Sequence, residues 1–145
     1  MKLIECVPNF SEGRNPKIIA EIVQAITAHS DIKVLDVDSG LATNRTVVTF
    51  VGPLAAIEEA AFCAIAKAAE LIDMQLHTGA HPRMGATDVC PFVPLGGVTM
   101  EDAVALSNRV AKKVGEELAI PVYLYEESAS NSERRSLSNI RKGEY

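Results

Sequence analysis

The sequence predicts an α+β domain, a split β-α-β sandwich in which a mainly antiparallel sheet carries its helices on one face. Three observations lead there. Short β-branched runs alternate with segments of helical period in the order β-α-β-β-α-β followed by α-β. The second and third runs are separated by only the short polar stretch from Ser39 to Asn44, which suits antiparallel neighbours. The chain has 145 residues, 48% hydrophobic and 23% charged, a size and mixture that support one domain with its own core.

Each element has a local cause. Leu3 to Val7 is a short apolar run closed by Pro8 and Asn9, and reads as a first strand. Phe10 to Asn15 lacks any hydrophobic period and forms a loop. Asn15 and Pro16 supply an N-cap and an N1 proline, and Ile18, Ile22, Ala25 and Ile26 recur at helical spacing to about His29. Ile32 to Val37 is a second strand running into Asp38, Ser39 and Gly40, and Thr46 to Val51 is a third. Leu54 to Asp73 places Ile57, Ala61, Ala64, Ile65, Ala68, Leu71 and Ile72 on one helical face, its alanines allowing close approach to a sheet. Met74 to Thr87 breaks every period with Gly79, Pro82 and Gly85 and is a loop. Asp88 to Leu95 contains Pro91 and Pro94, so it is a strand only at an edge or with a bulge. Thr99 with Asp102 caps a helix that turns Ala103, Leu106, Val110, Val114 and Leu118 inward. Pro121 to Tyr125 is the last strand, completing a ferredoxin-like sandwich, and residues 126–145, rich in serine and charge, read as a polar tail or linker.

Composition narrows the function. With 14 Lys plus Arg against 19 Asp plus Glu the net charge is −5, which argues against a nucleic-acid groove or an anionic membrane surface. No apolar run approaches the roughly 20 residues of a membrane span, and the N-terminal residues do not read as a signal peptide. Cys6, Cys63 and Cys90 are odd in number, widely spaced and set among apolar neighbours, which fits reduced packing residues and a cytoplasmic setting.

The chemistry-bearing residues fall in three polar segments, Asn9 to Arg14, Asp36 to Arg45 and His77 to Asp88, each on a loop or strand end that a sheet could hold rigid. In the third, glycines that let a backbone approach a ligand stand among two histidines, an arginine and an aspartate. An imidazole exchanges protons near neutral pH, so His81 is a candidate general base or acid, with a solvated loop histidine as the alternative. His77 has the weaker case. Histidines four apart share a face only in a helix, which Gly79 and Pro82 disfavour, and Asp88 and Cys90 are loose further ligands, so a metal site is not expected. Arg14, Arg45 and Arg83, one per segment, would form a carboxylate-binding pocket if the segments met; singly they are ordinary surface charges. Asp36 and Asp38 share a strand face, where Asp38 could orient an imidazole and Asp36 could cap a turn. An apolar, proline-bounded setting makes Cys90 a poor nucleophile. No glycine-rich phosphate loop with its lysine is present in the sequence.

The segments Glu5-Cys6-Val7-Pro8-Asn9-Phe10-Ser11-Glu12-Gly13, Asp36-Val37-Asp38, Thr43-Asn44-Arg45-Thr46 and His81-Pro82-Arg83-Met84-Gly85-Ala86-Thr87-Asp88-Val89-Cys90-Pro91-Phe92 resemble the N-terminal subdomain of the glutamate formimidoyltransferase family. Pro121-Val122-Tyr123-Leu124-Tyr125 and Arg141-Lys142-Gly143-Glu144-Tyr145 resemble its end, so the likeness covers the whole chain. The resemblance implies an enzyme that moves a formimino group from N-formiminoglutamate to tetrahydrofolate in histidine degradation, with tetrahydrofolate as co-substrate and no metal. Related members use N-formylglutamate, with 5-formyltetrahydrofolate as product; a non-catalytic folate-binding or assembly domain is the remaining alternative. It implies His81 as the catalytic base and acid with Asp38 beside it. Asn9, Asn44, Arg45 and Arg83 are candidates for holding substrate carboxylates or the intermediate on donor chemistry. The resemblance also implies folate in a tunnel between two subdomains, residues 1–125 forming the first and 126–145 leading toward a C-terminal one supplied in cis or in trans, and self-association into a homo-oligomer. The sequence departs from the family at Ala80, where members often carry glutamate before the histidine.

Overall fold

A computed structural model describes residues 2–76, 78–79 and 85–122. Its strands are β1 (Ile4–Cys6), β2 (Asn9–Phe10), β3 (Lys33–Gly40), β4 (Arg45–Gly52), β5 (Thr87–Val89) and β6 (Phe92–Pro94), and its helices α1 (Pro16–Thr27), α2 (Leu54–Leu71) and α3 (Met100–Leu118). The arrangement is α+β and compatible with a split β-α-β sandwich: every strand pairing is antiparallel, and β4 lies between β3 on one side and β1 and β2 on the other.

The sheet differs from the expected strands in two linked places. The strand expected over Leu3 to Val7 is β1, paired with β4 from Ile4 opposite Gly52 to Cys6 opposite Phe50, but beyond Pro8 a further strand, β2, sets Asn9 opposite Val47 and Phe10 opposite Thr46, so Phe10 lies in the sheet and not in the loop expected over Phe10 to Asn15. The fourth run breaks likewise at Cys90 and Pro91, β5 pairing with β2 and β6 with β1. A proline cannot donate to a ladder. The two breaks are bridged by Val7 N–H donating to the Pro91 carbonyl at 3.1 Å, and the first is tied to β4 by Val48 N–H donating to the Pro8 carbonyl at 3.1 Å. The strand expected over Pro121 to Tyr125 is not seen at Pro121 and Val122, and its remainder, like residues 126–145, lies outside the described residues.

Alternation on β4 separates the two faces. Thr46, Val48, Phe50 and Gly52 are buried, while Arg45, Val47, Thr49 and Val51 face the other way and are half-buried. The buried row joins Ile4, Cys6 and Phe10 with Ile22 and Ile26 of α1, Ile57, Ala60, Ala61, Ala64 and Ala68 of α2, and Ala103, Leu106, Val110 and Val114 of α3 in one core. The expected inward stripes are therefore met on all three helices. Burial of α2's alanines is what lets that helix sit close to β1 and β4. The paired Cys6 and Cys90 sulfurs, 3.6 Å apart, are free thiols of this core and its margin. Burial, followed by the neighbouring Cys90, pushes the Cys6 thiol pKa up, so it is a packing group rather than a nucleophile. No described helix is long and apolar enough to cross a membrane.

Both expected caps are present. The Asn15 side chain accepts from Lys17 N–H at 3.0 Å with Pro16 opening the helix. Thr99 and Asp102 form a reciprocal capping box, with both bonds at 3.1 Å. Thr99→Ala is expected to lower stability by about 1 kcal/mol, measurable as a reduced urea midpoint at unchanged slope. The Thr99 backbone N–H holds the Asp102 carboxyl below its ordinary pKa. A carboxyl whose pKa is lower in the folded state stabilises the fold above its unfolded pKa and ceases to as pH falls through the folded one. The stability gap between the protein and Asp102→Asn is thus expected at neutral pH and to close in strong acid.

Candidate functional site

The three polar segments meet at one end of the sheet. Asn44 is the clasp. It adopts a positive φ of 50°, a conformation asparagine tolerates better than most residues, and is buried. Its side-chain oxygen accepts from Gly13 N–H at 2.8 Å, and its amide nitrogen donates to the Thr78 carbonyl at 3.0 Å. One side chain therefore joins the loop after β2, the turn between β3 and β4, and the loop after α2.

Further bonds fix each junction. Arg14 Nε donates to the Leu41 carbonyl at 2.8 Å, with Nη1 3.4 Å from Thr78 Oγ1. Thr46 Oγ1 donates to the Glu12 carbonyl, while the Glu12 carboxylate accepts from Arg14 and Asn15 N–H at 2.9 Å each and so shapes the loop entering α1. Ser11 is buried and doubly bonded, its N–H to the Ala86 carbonyl at 2.8 Å and its hydroxyl to the Gly85 carbonyl at 2.7 Å. Two glycines make the approach possible. A Cβ on Gly13 would lie 2.3 Å from the Gly40 carbonyl oxygen and 2.5 Å from Arg45 N, and one on Gly79 would lie 2.3 Å from the Thr43 carbonyl oxygen. Contacts that short have no room for a methyl group.

Beside this junction the outer face of the sheet is polar. Directly opposed residues of an antiparallel pair share a face, and Val47 stands opposite Asp38 on one side and Asn9 on the other. Arg45 lies two residues from Val47 on the same face, and its Nη2 donates to the Asn9 side-chain oxygen. Asn9 in turn donates to the Val7 carbonyl at 2.9 Å. Asp36, opposite Thr49, extends the row, and both aspartates are exposed. Asp38 and Asn9, separated by one strand, are thus about 10 Å apart across the sheet.

Of the sequence-derived candidates, Asn9, Asp38, Asn44, Arg45 and Arg14 are brought to one region. His77, His81 and Arg83 lie outside the described residues. What the sequence did not single out is the work of Ser11, Gly13, Thr78 and Gly79 in joining the segments. Their partners are 31 to 74 residues away, beyond any local pattern; the close pairing of glycine with polar residues was the available signal.

A family model described as "Formiminotransferase domain, N-terminal subdomain" matches residues 3–145. The chain is 46% identical over 144 residues to the glutamate formimidoyltransferase of Streptococcus pyogenes serotype M1, covering 99% of this chain and 48% of that protein. It is 50% identical over 141 residues to the glutamate formimidoyltransferase of Thermoplasma acidophilum, covering 97% and 46%. Against the formimidoyltransferase-cyclodeaminase of Dictyostelium discoideum it is 53% identical over 144 residues, covering 99% and 27%. The chain thus spans about half the length of the transferases and about a quarter of the cyclodeaminase protein.

Proposed function

The chain belongs to the family of formiminotransferase N-terminal subdomains, and we propose that it forms the catalytic half of a glutamate formimidoyltransferase, moving a formimino group from N-formiminoglutamate to tetrahydrofolate. The observation that carries this reading is the match of that family over residues 3–145, with relatives named for this transfer. A C-terminal subdomain, in cis or in trans, would supply the other wall of the folate site. The free thiols suit a cytoplasmic setting.

The reaction needs one proton carrier. N5 of tetrahydrofolate attacks the formimino carbon, a tetrahedral intermediate forms, and the bond from that carbon to the glutamate nitrogen breaks as the nitrogen is protonated. His81 takes the proton leaving N5 and returns it to the glutamate nitrogen, so a single imidazole serves both steps without net change. The described residues flanking this segment support the reading. Gly79 is wedged against Thr43 and Asn44, and Gly85 is tied to Ser11, so the chain on either side of residues 80–84 is anchored at the polar junction.

The other candidates divide by what their atoms already do. Asp38, exposed on the outer face, orients the imidazole and stabilises its cationic form. Arg45, braced by Asn9, binds a substrate carboxylate, a role Arg83 shares. Asn44, whose amide joins three loops, is a positioning residue. Gly79→Ala tests the arrangement: the added methyl must displace the Thr43 carbonyl or the loop itself. A displacement near 1 Å at a catalytic group costs up to about 10²-fold. We expect kcat for glutamate release in the presence of tetrahydrofolate to fall at least about tenfold. Undiminished turnover in a folded Gly79→Ala protein would overturn the placement of the site at this junction.

A further inference from the structure

The helical layer holds a second group of ligating side chains, remote from the polar junction. Glu59 and Cys63 stand four residues apart on α2, hence on one face. His29, just beyond the end of α1, meets that face, and the nearest ligand atoms of the three residues all lie within 4.8 Å of one another. His29 Nδ1 is buried and has no hydrogen-bond partner. A buried imidazole nitrogen left without a partner loses its bonds to water for no return, and a metal ion is a partner that would satisfy it. The 12 residues of α1 separate this cluster from Arg14 and Asn15 by about 18 Å.

We propose that His29, Glu59 and Cys63 form a three-ligand site for a borderline-soft divalent transition metal of the zinc class, which staples the end of α1 to α2. Imidazole nitrogen, thiolate and carboxylate are the donors such ions take, and hard cations such as magnesium or calcium would not choose this set. Binding deprotonates the Cys63 thiol, the proton leaving to solvent, and a water completes a tetrahedron. Metal–ligand bonds of about 2.0 to 2.3 Å bring tetrahedral ligands to roughly 3.5 Å separations, a contraction that side-chain rotation supplies. The dication is balanced by the thiolate and the carboxylate, leaving a neutral centre. One group competes for the site. Lys113 of α3 sits 3.5 Å from Glu59 Oε2 and 4.2 Å from the centre of the Phe62 ring, and it must release Glu59 when the metal enters.

Cobalt(II) is the probe, because a thiolate ligand gives it a charge-transfer absorption that a site built from nitrogen and oxygen lacks. The protein should bind one cobalt per chain with that absorption, and zinc should displace it. Cys63→Ser should abolish the band, and His29→Ala should weaken binding by about 10²-fold or more. Lys113→Ala should tighten binding, since it removes the competing cation. His81→Ala should leave all of this unchanged, which separates the metal site from the proposed catalytic one. The cysteine and histidine are partly exposed, so both variants should fold, as circular dichroism would check. Absence of stoichiometric cobalt binding, or a thiolate band that survives in Cys63→Ser, would overturn the proposal.

Discussion

In the protein completed by the proposed C-terminal subdomain, His81→Ala should lower kcat for formimino transfer by about 10²-fold or more, with the thermal melting midpoint unchanged. General acid and base catalysis by a positioned group contributes roughly 10²- to 10⁴-fold, and in the proposed mechanism one side chain serves two proton transfers, removal from N5 and delivery to the departing nitrogen. The loss should appear equally in kcat and kcat/KM, as for an interaction made only in the transition state. A loss confined to KM would recast His81 as a binding residue. Steady-state kinetics of the purified variant, with tetrahydrofolate affinity measured separately, distinguishes the two.

The largest expected effect on stability belongs to Phe50. This residue is fully buried on β4, the strand that contacts β1, β2 and β3, and its ring lies in the core shared with all three helices. Phe50→Ala removes a large apolar surface and leaves a cavity that neighbours on a paired strand fill poorly. The expected cost is about 3 to 5 kcal/mol, a large share of the 5 to 15 kcal/mol typical of a domain. Urea unfolding followed by circular dichroism should show the midpoint fall accordingly. By contrast, removing the exposed pair between Arg109 and Glu58, 2.7 Å apart, should change stability by less than about 1 kcal/mol.

The helices were legible in the sequence because their causes are local. Asn15 before Pro16, and Thr99 three residues before Asp102, set two starts directly, and apolar residues three and four apart marked the buried stripes of all three helices. The pairing of β3 with β4 was legible as well, from two β-branched runs with a short polar connection between them. The extra strand at Asn9 and Phe10 and the division of the fourth run were not. Pro91 signalled an edge or a bulge, but that the break there is matched by one at Pro8 in the neighbouring strand is visible only in the pairing, and a two-residue strand such as Asn9 to Phe10 has no period to detect.

The polar segments of the candidate site were legible as segments, since glycine, proline and charge interrupt the hydrophobic pattern around them. Their joining was not, because it depends on the left-handed conformation of Asn44 and on approaches at Gly13 and Gly79 between residues far apart in the chain. The same is true of His29 with Glu59 and Cys63, which only the packing of α1 on α2 brings together. Asn44 illustrates how function and structure share a residue: donor chemistry makes it a candidate ligand group, and its bonds to Gly13 and Thr78 join three loops.

The most direct test of the proposed transfer is to follow an isotopically labelled formimino carbon. N-formiminoglutamate carrying the label is incubated with tetrahydrofolate and the protein completed by its C-terminal subdomain, and magnetic resonance locates the label. Transfer predicts the label on N5 of the folate, with one glutamate released for each label moved and none moved when tetrahydrofolate is omitted. Label that stays on glutamate, or that appears in a free hydrolysis product while folate remains unmodified, would contradict it.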